Sequence, residues 1–159
     1  CAKTYREVAL MPLIGLDKVE KAIDNIVLEQ NKKVKAIYIQ GLSAVITGTP
    51  VHFKDGGRLR NNWFLTTEKP SQSTRGPSSG GSASYSSLSK MPDYVLDKTI
   101  YFTNNMPYAN VVEYGGYPKN PKYGTWTGSG FQKLSQNGYS KQAPSGMVRI
   151  QLVKMRNKL

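Results

Sequence analysis

Between Gly15 and Gly48-Thr49-Pro50 the chain sets Leu16, Val19, Ile23, Ile26, Val27, Val34 and Ile37 at mostly three- and four-residue steps. At 3.6 residues per turn this spacing gathers them near one face of an α-helix. Lys18, Lys21, Asp24, Lys32, Lys33 and Lys35 mostly take the other face. Asp17 and Glu20 fall in the first turn, where carboxylates complement the helix dipole. Gly41 is a point for a bend, and Gly48-Thr49-Pro50 is a stop. A helix from Leu16 to about Thr47 is roughly 48 Å long. Its stripe reads as a core face on which the rest of the chain packs.

The remaining segments are short. Residues 1–15 read as an arm, ended by Met11-Pro12-Leu13-Ile14-Gly15 and suited to packing on a neighbouring subunit. Val51 to Gly57 reads as a turn. Leu59 to Thr67 follows as a strand, with Trp63 and Leu65 on one side and Phe64 on the other. Pro70 to Ser89 is rich in Ser and Gly and poor in apolar residues. Such a segment buries too little surface to offset its ordering entropy, so a long flexible loop is expected. Tyr94 to Asn104 has strand parity, and Tyr108 to Tyr114 suits a short helix closed by Gly115-Gly116. Residues 115–142 form a second irregular, basic stretch. From Ser145 onward, Val148, Ile150 and Leu152 alternate, which favours a strand over a helix with Ser145 as its N-cap.

At 159 residues the chain fits one domain with a single core. Mean hydropathy is −0.47. Part of the chain is therefore expected to lie outside a compact core, or to complete its core against other subunits. No apolar run approaches the roughly 18 residues of a membrane span, and no signal peptide is visible. The one cysteine, Cys1, permits no internal disulfide and no thiolate cluster for zinc. It reads as a small residue left after loss of an initiator Met, or as the lipidated cysteine of a processed lipoprotein.

Charge is the strongest compositional signal. Twenty-two Lys and Arg face ten Asp and Glu, a net +12. After Glu113 no acidic residue occurs, while Lys119, Lys122, Lys133, Lys141, Arg149, Lys154, Arg156 and Lys158 follow. Such a basic third suits DNA phosphates, acidic partner subunits or plain solvent. Tyr117-Pro118-Lys119-Asn120-Pro121-Lys122-Tyr123 interleaves aromatic and basic residues, as in single-strand binding surfaces. With ten Tyr in the chain, a protein-contact loop is the preferred reading of that stretch.

Catalytic patterns are weak. The lone histidine, His52, sits among turn residues, and no Gly-x-Ser-x-Gly elbow accompanies it. Asp93 or Asp97 with Glu113 form conceivable carboxylate pairs, but spacing alone does not single them out. Gly80-Gly81 and Gly128-Ser129-Gly130 lack the Lys-Ser/Thr of a phosphate-binding loop. No enzymatic activity, cofactor or metal is expected.

Three separated blocks carry a resemblance. Thr49-Pro50-Val51 leads, after a short insertion, to Gly57-Arg58-Leu59-Arg60-Asn61-Asn62-Trp63. Asn104-Asn105-Met106-Pro107-Tyr108-Ala109-Asn110-Val111-Val112-Glu113-Tyr114-Gly115 is the second block, and Gln142-Ala143-Pro144-Ser145-Gly146-Met147-Val148-Arg149 the third. In order and spacing they resemble the tail-completion and head–tail joining proteins of tailed phages, the neck and tail-terminator proteins. That family typically carries Thr-Pro-Val-Asp-Thr-Gly-x-Leu-Arg-x-Ser-Trp after its first helix. Here Gly56 stands near the place of the Thr.

The resemblance implies an α+β fold, a long N-terminal helix packed on a small antiparallel β-sheet with long irregular loops. It implies a homo-oligomeric ring, expected as a hexamer or dodecamer, at the head–tail junction or the head-proximal end of the tail. Neck, portal-adaptor or tail proteins are the implied partners, with viral DNA passing through nonspecifically and no membrane involved. Leu59 and Trp63 are expected to bury against the helix. Arg58 and Arg60 are expected to pair with Glu113 within or between subunits. Tyr108, Tyr114, Tyr117 and Tyr123 join them as interface candidates, and Lys119, Lys122, Lys133 and Lys141 as DNA-facing ones. The alternative is a basic nucleic-acid-binding domain without catalytic activity, and a phage-encoded hydrolase is a more remote third.

Overall fold

The computed structural model describes residues 15–52, 56–114, 125–126, 131–132, 135–136, 139–140 and 142–159. A helix, α1 (Leu16–Gly48), opens the described chain and runs for 33 residues, about 50 Å. A single 3-10 turn (Arg60–Asn62) leads into β1 (Trp63–Thr66). Then come α2 (Ser82–Leu88), β2 (Tyr101–Asn104) and α3 (Ala109–Tyr114). Two short hairpins, β3 (Thr125–Trp126) with β4 (Phe131–Gln132) and β5 (Ser135–Gln136) with β6 (Tyr139–Ser140), precede α4 (Arg149–Arg156). The fold is α+β, with β1 and β2 antiparallel in the register Trp63 to Asn104 and Thr66 to Tyr101.

The helix stops where the sequence says it should. Pro50 has no N–H to continue the ladder. Thr49 folds back instead, its N–H donating to the Ile46 carbonyl and its hydroxyl to that of Val45 at 2.7 Å. Gly41, expected as a point of bending, lies inside the continuous helix, where the side chain of Met155 from α4 rests against it.

The core sits against only the second half of α1. Val45 and Ile46 pack with Leu59, Trp63, Leu65, Leu88, Val95, Val112 and Met147, with Val34, Tyr38 and Leu42 at its margin. Leu59 and Trp63 are buried there as expected. The indole of Trp63 stacks on Phe102 with ring centroids 4.9 Å apart, and its N–H donates to the Thr49 hydroxyl at 2.9 Å. Asn31 marks the lower limit of the core. Its buried amide donates to the Asp93 carbonyl and accepts from the Val95 N–H, both at 2.7 Å. Below Asn31 the expectation of a core-facing stripe fails: Leu16, Val19, Ile23 and Ile26 are 51–62% exposed.

Three further expectations are corrected. Leu59 to Asn62 is not strand, because the Asn61 and Asn62 side chains are drawn into bonds with residues 58, 75, 76 and 83 and hold a tight turn. The second strand is also shorter than read, beginning at Tyr101 rather than Tyr94. Residues after Ser145 form a helix instead of a strand, and Ser145 is not its cap.

The Ser-rich segment is not a featureless loop, since it contains α2. Its serines complete the sheet edge. The N–H groups of Trp63 and Leu65, on alternate residues, point to one edge of β1. Ser84 Oγ accepts the first and Ser87 Oγ the second, each at 2.9 Å. The three-residue spacing puts both hydroxyls on one face of α2. Gly57 makes room for the same segment. It holds φ +83°, and a Cβ there would stand 2.5 Å from the Ser78 carbonyl oxygen. The arm before residue 15, residues 53–55 and most of 115–141 lie outside the described residues.

Candidate functional site

The three blocks that carry the resemblance meet in one place. The Asn104 amide donates to the Leu59 carbonyl at 2.9 Å, which joins the second block to the first. Val112 and Ala143, from the second and third, enter the core beside Trp63. The second and third blocks are locked together by Glu113.

Glu113 is buried, 5% exposed, on α3. One carboxylate oxygen accepts the N–H groups of Met147 and Val148, and the other accepts the N–H and Nε of Arg149. The Val148 and Arg149 N–H groups are orphan donors at the start of α4, so a side chain 35 residues from Val148 caps that helix. Gly146, at φ +77°, leaves the space the carboxylate fills: a Cβ there would lie 2.7 Å from Oε1. Burial pushes the carboxyl pKa up, but the three N–H groups and the guanidinium together outweigh it and hold the group below its ordinary value. The Arg149 guanidinium also donates to the Glu113 carbonyl and lies 4.6 Å from the centre of the Tyr114 ring.

Within the chain, the expected pairing of Arg58 and Arg60 with Glu113 is corrected: Arg149 is the ionic partner. Arg60 caps the other end of the fold. Its guanidinium donates to the carbonyls of Thr47, Thr49 and Ser79 at 2.8–3.0 Å, where α1 ends. A cation at a helix C-terminus complements the dipole. Arg58 is exposed on the same turn. Arg75, which the sequence did not single out, donates to the carbonyls of Asn61, Trp63 and Ala83 and lies over the Phe64 ring at 3.8 Å. Phe64 is thus buried on the second face of β1.

Tyr108 and Tyr114 are at the surface next to this hub. Tyr117, Tyr123, Lys119, Lys122, Lys133 and Lys141 lie outside the described residues. Asp93 is exposed and paired with Lys35 at 2.8 Å, while Glu113 is buried and paired with Arg149. No group of three metal-ligating side chains occurs among the described residues, and no described helix is long and apolar enough to cross a membrane. His52 is half-buried beyond the end of α1.

The chemistry of the hub is thus that of a clasp, in which carboxylate and guanidinium groups satisfy backbone atoms. What remains open is surface. The first half of α1 carries its uncovered stripe with Asp17, Glu20 and Asp24 on one flank. The second half of α1 adds only lysines, Lys32, Lys33 and Lys35, and Lys154, Arg156 and Lys158 stand exposed on and after α4. Comparison with family models, with curated proteins and with solved structures finds no match.

Proposed function

We propose that this chain is a structural subunit of a tailed-phage virion, which assembles with copies of itself into a ring at the head–tail junction or the head-proximal end of the tail. DNA passes through that ring, and its basic residues meet phosphates without reading sequence. The observation that carries the proposal is the bare stripe of α1. Four large aliphatic side chains on one helix face stay in solvent although the same helix buries its other half. Contiguous apolar surface of that kind marks a contact with another macromolecule. The convergence of the three blocks supports it further, because their side chains hold the fold and leave the work to surfaces. A ring of identical subunits is closed by head-to-tail contacts.

Mass photometry of the full chain, at low and high salt and with and without duplex DNA, tests the proposal. A closed ring of six or twelve copies is expected. A persistent monomer that binds DNA in a salt-sensitive way would instead identify a basic nucleic-acid-binding domain.

A further inference from the structure

We infer that the bare half of α1 seats along the outer face of α4 of a neighbouring copy. The inference rests on the self-assembly proposed above and assigns the two surfaces that make it.

The first support is continuity. Within one chain α4 lies along Ile37, Gln40, Gly41 and Ala44 of α1, with Met155 against Gly41 and the Lys158 ammonium donating to Gln40. At three- and four-residue steps that same face continues through Lys33 and Gln30 to Ile26, Ile23, Val19 and Leu16. The stripe is thus one surface, covered by a helix at one end and bare at the other.

The second support is that α4 has a spare apolar face. Met155 is buried and Gln151 half-buried toward α1, while Leu152 and Val153 are exposed. At 100° per residue Leu152, Val153 and Arg156 share the outward side.

The third support is charge. Asp17, Glu20 and Asp24 recur at three- and four-residue steps along one flank of the bare stripe, and among the described residues none of them is in an ion pair. Arg156 stands exposed on the outward side of α4 with Leu152, and Lys154 is exposed on its flank, at the groove it lines with Gln40 and Gly41 of α1. One chain therefore presents an acidic-flanked apolar surface and a basic apolar surface at different places, the complementarity that head-to-tail contacts need. An antiparallel pair of two bare halves would set acidic flank against acidic flank, which disfavours that pairing.

Charge reversal in the full-length chain tests the assignment. Glu20→Lys with Asp24→Lys makes one variant, and Lys154→Glu with Arg156→Glu the other. Sedimentation velocity at 0.15 M salt is expected to show each variant needing at least about tenfold more protein for half-assembly than wild type, since like charges are then opposed. All four changes in one chain restore complementarity and are expected to return assembly close to wild type. Far-UV circular dichroism checks that the helices persist. Cross-linking gives a second readout: Ile23→Cys with Leu152→Cys, in a Cys1→Ser background, should form disulfide-linked multimers. A wild type that forms rings while all variants assemble equally, or rings in which those cysteines never join, would overturn the assignment and leave self-assembly standing. A wild type that stays monomeric at every concentration would overturn both.

Discussion

Removing the Glu113 carboxylate should unclasp the C-terminal helix. In Glu113→Ala, the N–H groups of Met147, Val148 and Arg149 lose their acceptor, and the Arg149 guanidinium loses its charge partner. Buried donors left unmet cost about 1–3 kcal/mol each, and breaking one partner of a buried pair costs about 3–5 kcal/mol. Arg149 is partly exposed and water replaces some of its contact, so about 3–4 kcal/mol is expected for the whole change. Glu113→Gln is the sharper variant. Each carboxylate oxygen accepts two donors, so either orientation of the amide turns an NH2 group against two N–H groups. A near-isosteric change should therefore still cost about 2–3 kcal/mol.

Urea unfolding followed by tryptophan fluorescence, at fixed protein concentration, measures both variants. The pH dependence has a definite sign. The folded-state pKa of Glu113 is held below its ordinary value, so its contribution is fully present above about pH 4.3 and is lost as pH falls through the folded value. The gap in stability between wild type and Glu113→Gln should narrow as pH is lowered from 7 toward 3. A Glu113→Gln protein within about 0.5 kcal/mol of wild type at pH 7, or a gap that widens in acid, would refute the clasp.

Three further outcomes are expected from the same assay. Gly57→Ala should cost about 2–4 kcal/mol, because a Cβ at φ +83° meets the Ser78 carbonyl and the backbone cannot easily withdraw. Ser84→Ala and Ser87→Ala should each cost about 1–2 kcal/mol by orphaning a β1 N–H, whereas Ser86→Ala, on the exposed side of α2, should change little. Asn31→Leu should cost about 2–3 kcal/mol and raise hydrogen exchange at Val95, whose N–H then has no acceptor.

The long helix was legible because periodicity and its stop signal are local properties. Apolar spacing predicted the start and end of α1 nearly to the residue. The same spacing could not say which part of the stripe lies bare, since amphipathicity reports a face and not its partner. The reading of residues 70–89 as a loop failed over Ser82–Leu88, for a different reason. A Ser-rich composition argues against burial by apolar surface, yet here hydroxyls fold the segment by accepting strand N–H groups. The Ser84–Ser87 spacing was the available signal. In the final segment, Val148, Ile150 and Leu152 alternate as in a strand, but a distant carboxylate supplies the cap that makes a helix. Glu113 was read as an interface candidate, whereas its carboxylate is buried within the fold and held by Met147, Val148 and Arg149 of the same chain. Its partner was misassigned because Arg58 and Arg60 sit where α1 ends, where Arg60 is held by carbonyls, and Arg149 comes from the third block.

The most direct measurement is electron microscopy of the purified full chain, with class averages taken end-on. The account predicts closed rings of sixfold or twelvefold symmetry with a lumen wide enough for a DNA duplex. Particles no larger than a single 17.6 kDa chain at every concentration would contradict it.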